Sequence, residues 1–391
     1  MHYDLRKNID FIIEKKRKVI LFAIMLLALA LQLYGLDQKS LWYDERASLL
    51  FSSLNLKDIL ASPDKPHPPL YYIIEHFFIL MKNNEFFMRL PSVIFSFLTI
   101  PLIYRLGKDL FDFRVALMSA FLLAISPMFY WHAQEARMYP LFNFFSLLSL
   151  IFLIQALRTN ETEVWVCFIA LNLLNLYTHY YAVLVILIEA SFLLIYSKKY
   201  SYILGRFVLS NIAIFLFFVP QLFSLYSGIL LKAGEGPTWG IRPTWLFVPE
   251  IFCKISIGYC ALPDFKEYFY KIIEEGAFQF NLYFLSTNLF VLILLAFFFY
   301  GAYVSRQECS EKMSLLLIWV LIPIAINYIM ASKIDIMVRY IIFILPIYLV
   351  LVSKGLIYLR EKNFLCFFIF FFAISGFNAY FLFLNHITTF P

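Results

Sequence analysis

Long apolar blocks alternate with short polar segments along the whole chain, and the apolar blocks are too long for soluble core helices. A hydrocarbon layer of about 30 Å needs about 20 residues per helix. That ruler predicts spans at 19–36, 90–106, 115–131, 140–157, 164–178, 180–197, 207–225, 281–304, 314–330, 341–353 and 364–384. The stretch LYYIIEHFFILM, Leu70–Met81, follows prolines, is too short to cross, and carries Glu75 and His76. It is expected to lie as a helix in the outer interface. The basic opening MHYDLRKNIDFIIEKKRK resembles a signal-peptide n-region, but no small-x-small site closes the apolar run after it, so a retained first helix is expected.

Charge placement then orients the spans. With Leu70–Met81 kept at the interface, the basic groups Lys15–Lys18, Arg105–Arg114, Arg158, Lys198 with Lys199 and Arg206, Arg306 with Lys312, and Lys354 with Arg360 and Lys362 all fall on the cytoplasmic side. The result is an all-α polytopic membrane bundle of about 11 transmembrane helices, N-terminus inside and C-terminus outside. SLWYDERAS, DKPHPPLYY, YWHAQEARMY, YTHYY and KIDIMVRY then share the non-cytoplasmic face. The charge rule did not assume that convergence. The chain reads as a single membrane domain, 1–391, with two long outer loops. The first, 37–89, holds interfacial helices; the second, 226–280, contains GEGPTWGIRPTW, whose Gly and Pro content predicts turns.

Composition narrows the classes. Hydrophobic residues make up 62% of the 391 positions and charged residues 15%, against the roughly 25% charged usual in soluble domains, which argues against a soluble fold. The net charge of +6 comes from clusters between apolar blocks, with no continuous basic face for nucleic acid. The five cysteines are scattered without a CxxC; Cys253 and Cys260 share the second outer loop, where a disulfide is one option.

The polar outer segments hold the candidate chemistry. Asp44 and Glu45 are adjacent, so on a helix their side chains diverge by about 100° and do different jobs. One can face a cavity as a general base while the other anchors the loop; equally, both can cap a helix N-terminus. His67 is fixed by the surrounding prolines and can meet an anionic group or a metal, or simply end the loop. In PMFYWHAQEARMYPLF, Glu135 and Arg137 can pair with each other. Alternatively, Glu135 supports the Asp44 site while Arg137 meets a phosphate. Arg339 beside Tyr340 either snorkels to lipid phosphate or binds the phosphate of a membrane-borne substrate, and Arg89 is a second candidate for that task. His179 in YTHYY either faces the site or belongs to an interfacial tyrosine belt. Metal ligation is undecided at this level, with His67 and Glu135 as its candidates.

SLWYDE, HPPLYY, MRLPS, the LGKDLF turn, QEARMYPL, THYY and the late VRY, in that order and spacing, resemble the GT-C superfamily of membrane glycosyltransferases. Within it the sequence is similar to bacterial glycosyltransferase family 39 and to the aminoarabinose and protein mannosyl transferases. The resemblance implies a GT-C type bundle in a bacterial cytoplasmic membrane, with the active site facing outward. It implies a catalytic acid at Asp44 with Glu45 beside it, a second acidic position at Glu135, and phosphate contacts from Arg137 and Arg339, with Tyr139 and Tyr340 beside them. The implied donor is a polyprenyl phosphate sugar. The expected acceptor is a lipid or glycan ahead of protein, since no inserted lumenal domain is recognisable, and the protein is expected to act among membrane lipids as a monomer without nucleic acid. Aminoarabinose transferases place a lysine where this chain has His67, which argues against aminoarabinose as the sugar. A polytopic lipid or glycan transporter is the alternative reading.

Overall fold

A computed structural model describes residues 2–62, 65–231, 244, 247–259, 282–333 and 336–387. Among these residues there are helices and no strand. In chain order they are α1 (His2–Leu33), α2 (Tyr43–Ser52), α3 (Leu56–Ala61), α4 (Leu70–Met81), α5 (Glu85–Leu110), α6 (Phe113–Ala124), α7 (Pro127–Ala133) and α8 (Tyr139–Thr159). They continue as α9 (Thr162–Leu176), α10 (Ala182–Ile195), α11 (Ser201–Leu231), α12 (Phe247–Ile257), α13 (Leu282–Glu308) and α14 (Ser310–Met330). A 3-10 helix, Val338–Ile344, then leads into α15 (Leu345–Lys362), and α16 (Phe364–Ile387) completes the bundle.

Seven of these elements are long and apolar enough to cross a membrane, and an eighth span is formed if α6 and α7 are taken together. The chain is therefore a multi-pass membrane protein. Two predicted spans differ in form. The 115–131 block is broken: Asp112 caps α6 through the Arg114 and Val115 N–H groups, Ser126 starts α7, and the two helices bend by 57°. The 341–353 block begins earlier, as the 3-10 segment, and runs to Lys362. Blocks 164–178 and 180–197 appear as the shorter apolar helices α9 and α10, and Leu70–Met81 is a helix of 12 residues.

The second long loop also departs from expectation. α11 continues to Leu231, and Phe247–Ile257 is a helix with most of its side chains buried. The GEGPTWG stretch and Cys260 lie outside the described residues, and with Cys260 the Cys253 pairing does too.

Burial identifies the axis of the bundle. In the Val338–Lys362 span 94% of the apolar window is buried, against 28% in Ser201–Phe223 and Phe364–Leu384, so the last two present most of their surface to lipid. α15 reaches that depth because it packs backbone to backbone on α13. A Cβ at Gly301 would run into the Leu351 carbonyl, and one at Gly355 into the Phe297 carbonyl.

Side-chain contacts sort the connections into two ends. At one end Arg158 donates to the Asp109 carbonyl, Lys312 to the Leu110 carbonyl, Arg206 to the Asn160 carbonyl, and Arg114 pairs with Glu361. At the other end α2 and α4, the turn 134–138, the α9–α10 turn and the start of the 3-10 helix meet. Leu70 N–H donates to the Tyr177 carbonyl at 3.0 Å, and Gln134 Nε2 to the Tyr34 carbonyl at 2.8 Å. The segments grouped by charge thus share one end, and the candidate site residues share the other.

Candidate active site

Two carboxylates leave the first turn of α2 in different directions. Glu45 at the third helical position turns back into the protein, where Oε2 accepts the Trp42 N–H at 3.3 Å. There it meets Arg89 near the start of α5. Arg89 Nε donates to Glu45 Oε1 and Nη2 to Oε2, each at 2.8 Å. Nη1 donates to the Leu36 and Lys39 carbonyls, and Nη2 also to the Ser40 carbonyl. The Ala136 N–H completes the set on Glu45 Oε1 at 2.8 Å. All five guanidinium N–H groups and all four carboxylate acceptor sites are therefore used.

This arrangement differs from two expectations: every Arg89 donor is used within the protein, and Glu45 takes the anchoring role that one of the two neighbouring acids was expected to play. Together they fasten the end of α1, the loop 36–42, α2, α5 and the turn after α7. Tyr71 and Ser92 add to the same fastening, with Ser92 Oγ donating to the Arg137 carbonyl at 2.9 Å.

Asp44 leaves α2 toward the 3-10 helix. Its Oδ2 lies 2.7 Å from Arg339 Nη2, but the contact is not aligned as a hydrogen bond, and both Asp44 Oδ2 and Arg339 Nε lack a hydrogen-bond partner. Arg339 is held by its backbone N–H, which donates to Tyr259 OH at 3.1 Å. Its guanidinium lies over the Trp42 and Tyr139 rings at 5.4 and 5.6 Å.

Arg137 and Glu135 do not pair with each other through their side chains. Arg137 Nη1 donates to the Asp44 carbonyl and to Ser48 Oγ, both at 3.1 Å, and Nη2 to His67 Nε2 at 3.0 Å. Arginine only donates, so His67 accepts and its imidazole is the neutral Nδ1–H tautomer. Glu135 accepts from Trp131 Nε1 and from His132 Nδ1, both at 2.7 Å. Burial alone would push the Glu135 carboxyl up, but His132, Arg339 and Trp131 together hold it below the usual carboxylate range.

Aromatic rings surround these groups. Tyr139 sits between the two arginines, with Arg137 at 5.8 Å from its ring centre. His179 is stacked between His67 and Phe142 at 5.1 and 4.9 Å, and Tyr340 borders His179 at 5.7 Å. The His179 Nδ1 accepts the Tyr181 N–H, so Nε2 carries the proton. Burial, then Arg137 and Arg339, push the His179 pKa down to about 3, which keeps the ring neutral.

The unsatisfied polar atoms gather here. His132 Nε2, Tyr139 OH, His179 Nε2, Arg137 Nε, Arg339 Nε and Tyr72 OH are buried without a hydrogen-bond partner. Buried polar groups are ordinarily paired, so such a concentration marks a place shaped for a polar ligand. The Asp44, Glu135, Arg137, Arg339, His67, Tyr139, Tyr340 and His179 positions named from sequence all come together. Tyr259, His132, Trp42 and Tyr72 complete the site; Trp42 and Tyr72 lie inside the SLWYDE and HPPLYY motifs, whereas nothing in the pattern around Tyr259 distinguishes it.

A divalent cation does not fit these donors. Both Glu135 oxygens accept hydrogen bonds, His67 Nε2 faces a guanidinium, and Asp44 faces Arg339. Among the described residues no group of three or more His, Cys, Asp or Glu side chains converges with metal-binding geometry.

Comparison with known proteins agrees with this architecture. Residues 64–223 match the family described as dolichyl-phosphate-mannose-protein mannosyltransferase. No curated protein sequence matches the chain. The ArnT structure from Cupriavidus metallidurans in the apo state superposes with a TM-score of 0.62 at 14% identity, over 89% of this chain and 61% of that one. The same protein bound to undecaprenyl phosphate gives 0.62 at 15% identity, over 90% and 62%. The archaeal oligosaccharyltransferase AglB from Archaeoglobus fulgidus, in complex with an inhibitory peptide and a dolichol-phosphate, gives 0.64 at 13% identity, over 97% and 57%. The chain thus spans less than two thirds of the length of these solved proteins. It has the polytopic GT-C fold that they share.

Proposed function

We propose that this GT-C chain transfers a sugar from a polyprenyl-phosphate-linked donor to an acceptor hydroxyl or amine, inverting the anomeric carbon, at the non-cytoplasmic face of a bacterial cytoplasmic membrane. The observation that carries the reading is the Asp44–Arg339 contact. A carboxylate and a guanidinium face each other at 2.7 Å among largely buried side chains, unaligned and each with an atom to spare. The phosphate of the donor, a monoanionic diester, takes hydrogen bonds from Arg339 and from Arg137 Nε. Drawing Arg339 onto the phosphate leaves Asp44 free as general base.

Asp44 accepts the proton of the acceptor O–H or N–H, whose lone pair attacks the anomeric carbon opposite the phosphate. The carbon–oxygen bond to phosphate breaks as the glycosidic bond forms, and polyprenyl phosphate leaves as a dianion. The charge gained by the leaving group is balanced by the proton on Asp44. Arg339 and Arg137 act where that charge grows, so they bind the transition state more tightly than the donor. Glu135 keeps His132 and Trp131 oriented, and the neutral Nε2–H of His179 is available to a sugar or phosphate oxygen. An acceptor that is a lipid or glycan suits a pocket at the membrane boundary, and the protein works as a monomer.

The two structurally similar proteins lend support in kind: the ArnT structure holds undecaprenyl phosphate and the AglB complex a dolichol-phosphate. The deciding experiment supplies the purified protein with radiolabelled polyprenyl phosphate sugars and a panel of lipid acceptors, with product anomers assigned by NMR. Transfer with inversion is expected; no transfer from any donor, combined with lipid movement across vesicle bilayers, would replace the enzyme by a transporter.

A further inference from the structure

One buried carboxyl lies outside the candidate site. Glu189 on α10 is fully buried; Ser149 Oγ donates to its Oε1 at 2.5 Å, its Oε2 has no partner, and among the described residues no Lys, Arg or His pairs with it. A polar seam joins it to the site. On α8, Tyr139, Asn143, Ser146 and Ser149 recur at helical spacing on one side, and on α9 Asn172 and Asn175 lead to His179 in the turn that follows. The two stripes face each other. Asn175 Nδ2 donates to Ser146 Oγ at 3.1 Å, and Asn172 Nδ2 to Ser149 Oγ at 2.7 Å. At a rise of 1.5 Å per residue the seam is about 15 Å long from Tyr139 to Ser149. It starts at Tyr139 and His179, whose rings stand 5.9 Å apart, and ends at Glu189.

Serine and asparagine pairs are ordinary glue between membrane helices, but glue uses up its polar atoms. Here several are left over below the site: both amide atoms of Asn143, the Oδ1 atoms of Asn172 and Asn175, and Glu189 Oε2. Turning the Asn172 amide over is no cure, since Nδ2 would give up the Phe168 carbonyl at 3.2 Å. We propose that the seam holds a file of ordered water that connects the candidate site to Glu189 and makes this carboxyl a proton store for the site. The mixture of leftover atoms selects that occupant. Asn143 Nδ2 and the His179 Nε2–H donate, whereas the leftover oxygens accept, so a metal cation would meet N–H groups along the seam and an anion would meet oxygens. Water both gives and takes, and buried water ordinarily serves such unpaired groups with about three hydrogen bonds each. A carboxyl at this depth without a counter-charge rests as the neutral acid. It passes its proton to the neighbouring water and recovers one along the file, so the exchange needs no other reactant. Tyr139 and His179 are the titratable groups at the site end of the path. The inference does not rest on the transferase reading, and its test measures no turnover.

The test follows the purified full-length protein in lipid nanodiscs by infrared spectroscopy on transfer from H2O to D2O. A carboxylic-acid C=O band that is absent from Glu189→Gln is expected, which separates it from any other buried acid, and it should shift to its deuterated position within minutes. Asn143→Leu, which removes two unpaired polar atoms at similar volume, should slow that shift about tenfold or more while Tm stays at or above wild type. Asn175→Leu interrupts the file at a second place and should slow it as well, which guards against a packing change peculiar to Asn143. A band that exchanges in both variants as fast as in wild type, a band that fails to exchange in wild type over hours, or no band lost in Glu189→Gln would each overturn the proposal.

Discussion

Glu45 with Arg89 and Asp44 with Arg339 are two acid–arginine pairs whose acids are neighbours in the chain, and they are built in opposite ways. In the first pair every donor and acceptor is used, and both side chains are almost fully buried. In the second the contact is equally short but unaligned, the acid keeps 19% of its side-chain surface, and an oxygen and a nitrogen are left over. A closed pair holds structure because opening it strands a charge in low dielectric. An open pair has little to lose by exchanging one partner for a ligand. The comparison predicts that substitutions in the two pairs separate cleanly into folding defects and turnover defects.

The sharpest way to break the comparison is Asp44→Asn. Turnover should fall by about 10²–10⁴-fold, the range for loss of a general base, while Tm and donor binding stay near wild type. Near-normal turnover would remove Asp44 from the base role. Arg339→Gln comes next, with a loss of about 10²–10³-fold in kcat/KM for the lipid-linked donor, as for removal of one preorganised donor to developing charge. Unchanged donor kinetics would return Arg339 to a lipid-snorkelling role.

The closed pair should respond differently. Arg89→Met leaves the Glu45 carboxylate with only the Trp42 and Ala136 N–H groups and no counter-charge, and three backbone carbonyls without the guanidinium, so a loss of about 3–5 kcal/mol is expected in denaturant or thermal unfolding. Residual folded protein should still turn over. Glu45→Leu combined with Arg89→Met should recover part of the stability, because the stranded charge is gone; a double variant as unstable as the two singles summed would show that the pair acts independently.

The apolar blocks, the short helix Leu70–Met81 and the convergence of polar segments were legible in the sequence because each rests on a local property, span length or charge placement. The division of labour between Asp44 and Glu45 was legible only as an alternative: their directions differ by geometry, but which one meets Arg89 depends on how α5 packs. Arg89 looked like a phosphate ligand for the same reason, since a lone arginine in MRLPS carries no sign that three carbonyls from 36–40 will surround it. The break between α6 and α7 was hidden because 115–131 is uniformly apolar, although Ser126 with Pro127 is a helix-start signal inside it. Tyr259 was out of reach: it meets Arg339 across 80 residues.

A pH series, in which each unit changes stability by less than any of these substitutions does, tests whether the frame around the open pair is itself fully satisfied. Glu75 on α4 accepts from Ser52 Oγ at 2.6 Å, and its other oxygen has no partner. Burial pushes its carboxyl up to about 8, with the Ser52 hydrogen bond and Arg137 opposing. In the folded protein it therefore stays protonated at pH values where the unfolded chain has lost the proton. Stability should decline as pH rises from about 5 toward 8, because the folded state must either keep a proton that the solvent no longer supplies or bury a charge. The slope approaches about 1.4 kcal/mol per pH unit for one group and flattens above pH 8. Glu75→Gln should remove that slope from a Tm-against-pH series while leaving turnover at pH 6 intact. A slope that survives the substitution would assign the titration to another group and leave Glu75 as a neutral link between α2 and α4.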